Sequence, residues 1–114
     1  MAPGDRHLEL LEGGRIHLSS AAPVNSCRPA ADVTMHAVAS LLGPRATGVV
    51  LTGMGRDGAQ GLAEIRRAGG RTVAQDERSC VVYGMPRAAV ELGVVDRVLT
   101  LEAIATVIAS PWRR

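Results

Sequence analysis

The feature that most constrains this chain is an apolar, β-branched run that ends in a glycine-rich loop and leads into a helix. Residues 48–52 read Gly-Val-Val-Leu-Thr, which is typical of a strand buried on both faces. The loop at 53–58 reads Gly-Met-Gly-Arg-Asp-Gly, and the periodicity predicts a helix over 59–68. Because another strand is predicted at 71–75, the two strands must pair in parallel through a right-handed crossover.

The same alternation continues to the end of the chain. We predict strands near 47–52, 71–75 and 95–99 in one parallel sheet, and a last helix that begins after Thr100 and reaches Ala109. An earlier helix is predicted at 32–42, and a further one has Pro86 in its first turn.

The first residues have a different pattern. Two short apolar runs flank Gly13-Gly14 and predict a β-hairpin over 7–18, followed by a βαβα core at 46–110. We therefore predict an α/β fold: a partial doubly wound (Rossmann-like) parallel sheet with a β-hairpin near the N-terminus.

Composition excludes several classes of protein. With 114 residues, one domain is the ceiling. All 13 cations are arginines scattered along the chain, the net charge is +2, and Tyr83 and Trp112 are the only aromatics, so no nucleic-acid partner is expected. Residues 1–7 lack the apolar core of a signal peptide, and no apolar run approaches membrane length, so we expect a cytoplasmic protein without membrane insertion. Cys27 and Cys80 lack the spacing of a metal site.

The loop allows three interpretations. Gly53, Gly55 and Gly58 match the dinucleotide-binding pattern, with acidic residues about 20 positions further on. The Asp57 carboxylate argues against this reading, because it would compete with a pyrophosphate for the amides of the helix that follows. In the second interpretation, Asp57 is a buried, ionised carboxylate that orients a catalytic histidine. In the third, Asp57 only caps the helix that it precedes.

Four separate segments carry a family resemblance. Residues 49–59 and 74–86 are similar to the catalytic domain of the protein-glutamate methylesterase/protein-glutamine deamidase family of bacterial chemotaxis. Residues 2–7, and Pro23-Val24-Asn25 followed by Arg28-Pro29, match the same family in the same order, so that the resemblance covers about residues 2 to 108.

The resemblance implies a serine esterase that demethylates glutamates and deamidates glutamines on methyl-accepting chemoreceptors. The triad aspartate falls on Asp57, Met54 lines the site close to the oxyanion, and Gly53, Gly55 and Gly58 form the loop. No metal and no organic cofactor is implied. Residues 1–114 are then a single partial methylesterase catalytic domain, truncated at its N-terminus.

The family's nucleophile lies in an upstream Gly-Ser-x-Gly-Gly loop and its base follows a second upstream strand, and neither segment is present in this sequence. We therefore expect the isolated chain to be inactive, and to form a homodimer or to associate with a complementing chain. The alternative is a non-catalytic module that binds a partner or serves as a scaffold.

Other polar residues are weaker candidates. Candidate substitutes for the missing serine and histidine are Ser19, Ser20, Ser79, His7, His17 and His36, and candidates for a substrate rim are Arg78, Tyr83 and Arg87. For each histidine, a surface or structural role is the expectation. Met54 and Met85 could form an apolar wall beside the loop, or pack in the core.

Overall fold

The computed structural model describes residues 1–109, so residue 110 of the predicted core lies outside the described part. A hairpin precedes the first helix, and three strands then alternate with helices. In chain order the elements are β1 (His7–Leu10), β2 (Ile16–Ser19), α1 (Ala31–Leu42), β3 (Thr47–Val50), α2 (Ala59–Arg67), β4 (Arg71–Gln75), α3 (Gly84–Leu92), β5 (Arg97–Leu99) and α4 (Leu101–Ala109).

The N-terminal segment forms the predicted hairpin. Strands β1 and β2 pair antiparallel, with His7 opposite Ser19 and Leu10 opposite Ile16. Gly13 and Gly14 both have a φ of +76° in the connection, a conformation that glycine adopts without steric cost. The hairpin is tied to α1 by the Thr34 hydroxyl, which donates to the Leu8 carbonyl at 2.6 Å.

The second half forms the predicted parallel sheet, in the order β3-β4-β5. Thr47 pairs with Arg71, and Val73 pairs with Arg97, each in parallel register. The predicted α/β class is thus confirmed, with strand ends within two residues of the predictions. Within residues 1–109, β3 pairs with β4 alone, so its second edge is open.

Small residues allow α2 to lie close to its neighbours. A Cβ at Gly48 would lie 2.6 Å from Leu62 Cδ2, and a Cβ at Gly61 would lie 2.6 Å from Met35 Cβ. Leu62 and Ile65, both at most 1% exposed, pack into the core beneath this helix. The close contacts hold α2 against both β3 and α1, and so fix where its N-terminus lies.

The predicted helix boundaries also have local causes. Gly43 and Gly93 end α1 and α3 with positive φ angles of +50° and +77°. The Thr100 hydroxyl accepts the Ala103 N–H at 3.1 Å and caps α4, as predicted. No helix of the described residues is long and apolar enough to cross a membrane.

Candidate functional site

The glycine-rich loop lies at the carboxyl end of β3 and is held by residues just before α3 and in its first turn. The Gly53 N–H donates to the Val82 carbonyl at 2.9 Å, and the Met85 N–H donates to the Gly53 carbonyl at 2.9 Å. The Thr52 hydroxyl donates to the same Val82 carbonyl at 3.0 Å. The loop is therefore a defined part of the fold.

Each predicted loop glycine has a steric reason. A Cβ at Gly53 would lie 2.5 Å from Met85 Sδ. Gly55 and Gly58 have φ angles of +93° and +99°, in the region that other residues rarely adopt. The backbone that these glycines allow places Asp57 in a buried position, and the residue is only 8% exposed.

The Asp57 carboxylate binds the N-terminus of α1. Its Oδ2 accepts the Ala31 N–H at 2.6 Å, and its Oδ1 accepts the Asp32 N–H at 3.1 Å. Both amides belong to the first turn of α1, where no intrahelical acceptor exists. Asp57 thus caps a helix 26 residues earlier in the chain, and the interpretation that it caps α2, the helix that it precedes, is wrong.

The N-terminus of α2 is capped by Asp32 instead. Asp32 Oδ1 accepts the N–H groups of Gly58, at 3.0 Å, and of Gly61, at 2.7 Å. A dinucleotide-binding loop needs such amides free for a pyrophosphate. Because a buried carboxylate already occupies them, the geometry argues against the dinucleotide interpretation.

Asn25 links the two carboxylates. Its Nδ2 donates to Asp32 Oδ2 at 2.7 Å and lies 3.4 Å from Asp57 Oδ1. Sequence reasoning did not single out Asn25 or Asp32 as site residues. The available signals were the Pro-Val-Asn segment of the family resemblance and the position of Asp32 in the first turn of a predicted helix.

The charges of Asp32 and Asp57 are stabilised by helix ends. Each carboxylate accepts two backbone amides, and each lies at the positive end of a helix dipole.

Among the residues that the structure describes, Asp57 Oδ2 accepts a single hydrogen bond. That oxygen retains a lone pair with which it can accept one more N–H donor.

Apolar side chains surround the mouth of the loop. Met54 is 84% exposed and Val81 is 91% exposed. Leu51 and Val82 are exposed as well, and we call these four side chains the apolar rim. Met85 instead packs against the core cluster that contains Leu62, so of the two methionines only Met54 belongs to the rim.

The remaining candidates are engaged in other contacts. The His7 Nε2–H donates to the Ala22 carbonyl at 2.9 Å, and its Nδ1 accepts the Ala30 N–H, which makes His7 a structural residue. His36 pairs with Glu64 at 2.8 Å, and the Ser79 hydroxyl donates to Asp76.

The substrate-rim candidates do not share one environment. Arg87 lies 2.8 Å from Glu91, and this hydrogen bond raises the pKa of the Arg87 guanidinium. Arg78 and His17 are exposed, whereas Tyr83 is half-buried and forms a β-bridge with Gly53. Ser19 accepts the Ala21 N–H at 3.1 Å, and Ser20 is exposed.

Cys27 and Cys80 are both free thiols and half-buried. Within the described part of the chain, no group of three or more His, Cys, Asp or Glu side chains is arranged to hold a metal ion.

Comparison with known proteins assigns a family to these features. A family model described as CheB methylesterase matches residues 1–108. Protein-glutamate methylesterase/protein-glutamine glutaminase 4 of Anaeromyxobacter dehalogenans is 56% identical over 108 residues, which cover 92% of this chain and 30% of that protein. The corresponding protein of Photorhabdus laumondii is 52% identical over 104 residues, 89% of this chain and 30% of its own length. The chain thus spans about 30% of the length of these curated relatives.

A solved structure has the same fold. The Thermotoga maritima CheB methylesterase catalytic domain matches with a TM-score of 0.87 and 38% sequence identity. The match covers 92% of this chain and 57% of that domain.

Proposed function

Because the chain belongs to the CheB methylesterase family, we propose that it supplies the aspartate of a Ser-His-Asp triad and that Asp57 is this aspartate. The resemblance expected from the sequence is confirmed by the family match. One observation carries the proposal for Asp57: a buried carboxylate, fixed by two backbone amides, keeps a lone pair on Oδ2. Such a carboxylate can accept the Nδ1–H of a histidine and hold the ring in one tautomer.

The proposed reaction is serine acylation by a glutamyl methyl ester. A serine hydroxyl attacks the ester carbonyl while the histidine takes its proton, and the histidine then protonates the departing methoxide, so that methanol leaves. Water then attacks the acyl-enzyme carbonyl while the histidine takes a proton from the water. The histidine returns this proton to the serine oxygen as the glutamate product leaves. With a glutamine amide in place of the ester, ammonia leaves instead. Asp57 stabilises the imidazolium throughout and does not itself take the proton.

In this proposal the serine and histidine come from residues outside these 114. Residues 1–114 then act as a single partial methylesterase catalytic domain, with the loop glycines at 53, 55 and 58 setting the depth of Asp57. Met54 lies in the same loop and, with its exposed side chain, lines the site near the oxyanion. The isolated chain is inactive because an oriented carboxylate alone cannot attack an ester.

The substrates and location follow from the family. Methyl-accepting chemoreceptors supply the methylated glutamates and the glutamines, and the protein acts in the cytoplasm. The mechanism needs no metal and no organic cofactor. A non-catalytic role as a partner-binding module is the second candidate, and the exposed apolar rim favours it, because such patches mark protein contacts.

A fusion protein tests the catalytic proposal. The 108 matching residues of the Anaeromyxobacter relative are replaced by those of this chain, and methanol release from methylated receptor is measured beside the parent protein. We expect turnover by the fusion and none above background by the isolated chain.

The control is the same fusion with Asp57→Ala. A fusion that has the circular dichroism and melting temperature of the parent but releases no methanol would contradict the catalytic proposal and leave the partner-binding role. Clear turnover by the isolated chain would contradict its expected inactivity.

A further inference from the structure

The network around Asp57 contains a second buried carboxylate, Asp32, to which the proposed reaction gives no part. Asp32 is 9% exposed, and its side chain accepts the amides of Gly58 and Gly61 and the amide group of Asn25. A helix cap alone needs no buried charge, since serine or threonine serves at such positions. Placing two carboxylates side by side in a buried site carries a cost in repulsion and desolvation.

The hydrogen bonds form a closed ring between the two residues. The N–H of Asp32 donates to Asp57 Oδ1 at 3.1 Å. The N–H of Gly58, the residue directly after Asp57, donates to Asp32 Oδ1 at 3.0 Å. Each carboxylate therefore holds the backbone from which the other extends, and a displacement of either one breaks a bond of the other.

Asn25 contacts both carboxylates from a turn with left-handed backbone. Its backbone has a φ of +52°, and Ser26, the next residue, has a φ of +61°. Left-handed backbone is unfavourable for residues other than glycine, although asparagine tolerates it better than most. The turn adopts this unfavourable conformation, and in it the Asn25 side-chain amide contacts both carboxylates.

We propose that Asp32 is a positioning residue for Asp57 and that Asn25 sets the distance between their carboxylates. The inference rests on the proposed function in one respect: the property being positioned is the alignment of Asp57 Oδ2 with a histidine. The link between Asp32 and the placement of Asp57 is itself a property of this chain and can be measured without any activity.

Amide hydrogen exchange measures this link directly. The Ala31 N–H lies in the first turn of α1 and donates to Asp57 Oδ2, so its protection reports whether the carboxylate is in place. In the 114-residue chain, Asp32→Ala should speed Ala31 exchange by roughly tenfold, the effect of losing one hydrogen bond. Asp32→Asn should restore only part of the protection: its side-chain oxygen still accepts the Gly58 and Gly61 amides, but its amide nitrogen cannot accept the Asn25 donor.

Asp96→Ala is the matched control. Asp96 also accepts a backbone amide, that of Thr72 at 3.0 Å. It lies between α3 and β5, however, and pairs with Arg66. In this variant, Ala31 exchange should change no more than the exchange of amides that open only by global unfolding. If Asp32→Ala does not fold, Asn25→Gly replaces it, because glycine keeps the positive φ and removes only the amide. Ala31 protection that persists in the folded Asp32→Ala or Asn25→Gly chain would overturn the proposal.

Kinetics of the fusion protein provide the second readout. Asp32→Ala should lower kcat by about 100-fold with little change in KM, because a misplacement of about 1 Å costs that much. Asp32→Asn should recover part of kcat, because it keeps the acceptor for the Gly58 and Gly61 amides and loses the acceptor for Asn25, whereas Asp96→Ala should retain kcat. A rise in KM with unchanged kcat, or a kcat for Asp32→Asn no higher than that of Asp32→Ala, would overturn the positioning role. If the unsubstituted fusion has no turnover, the proposed function fails, and the exchange experiment still decides whether Asp32 places Asp57.

Discussion

Asp57 and Asp32 cap each other's helices. Asp57, directly before the N-cap of α2, binds the first amides of α1, and Asp32, in the first turn of α1, binds the first amides of α2. The loop that carries Asp57 is therefore held by a hydrogen-bonded ring that joins both helices, and the catalytic predictions depend on that placement.

Asp57→Asn should lower turnover of the fusion protein by about 10⁴-fold, because an amide in this position favours the wrong histidine tautomer. Methanol release under saturating substrate measures the effect. Circular dichroism should show an intact fold, since the side-chain oxygen of the substituted residue can still accept one of the two α1 amides. A loss of less than about tenfold would mean that Asp57 does not orient a histidine.

The isolated chain should self-associate through the open edge of β3 and the apolar rim. An unpaired strand edge is a template for another chain, and Met54 and Val81 are exposed near the carboxyl end of the same strand. Sedimentation velocity over a range of concentrations should show a dimer that Met54→Gln with Val81→Gln weakens.

Ile16→Gln is the control for this association, because Ile16 is 63% exposed but lies on the hairpin. A monomer at high concentration, with amides of β3 protected from exchange, would contradict the prediction. The fusion protein should remain monomeric if upstream strands cover the edge.

Cys80 should react slowly with alkylating agents. Burial raises the pKa of the Cys80 thiol, and the hydrogen bond with Thr52 opposes that rise. In a Cys27→Ser background, alkylation at pH 8 should be slower than that of a short cysteine peptide, and slower again with Thr52→Val. An equal rate for chain and peptide would contradict this.

The same shift has a consequence for stability. Because the folded pKa of Cys80 lies above the unfolded value, the thiol stabilises the fold below about pH 8.5. This contribution is lost as the pH rises through the folded pKa. The free energy of unfolding should therefore decline as the pH rises above about 8.5. The part of this decline that is due to Cys80 should be absent in Cys80→Ser.

Gly48→Ala should destabilise the chain by about 1–3 kcal/mol through overpacking. The new Cβ would meet Leu62 Cδ2 at 2.6 Å and Ile65 Cδ1 at 2.7 Å. Urea unfolding measures the change, with Gly4→Ala as the control, because a Cβ at Gly4 meets nothing within 4 Å. Equal midpoints for the two variants would show that α2 can move away from β3.

Sequence periodicity was sufficient for the sheet and most helix limits, because apolar spacing and glycine stops act locally. It predicted the parallel order of β3, β4 and β5 and the cap at Thr100. The helix that Asp57 caps could not be predicted in this way, since the bond joins residues 26 positions apart. Asp32 was missed for the same reason: its partners at 58 and 61 become neighbours only after α1 and α2 pack together.

The exchange of caps between α1 and α2 also affects how the chain reaches its native state. Starting a helix is its costly step, and a cap close in sequence would lower that cost early. Here the first turn of each helix is capped by a carboxylate that lies 25 or more residues away in the sequence. We therefore expect α1 and α2 to form together, with the Asp57 loop reaching its final geometry in the step that joins the two helices.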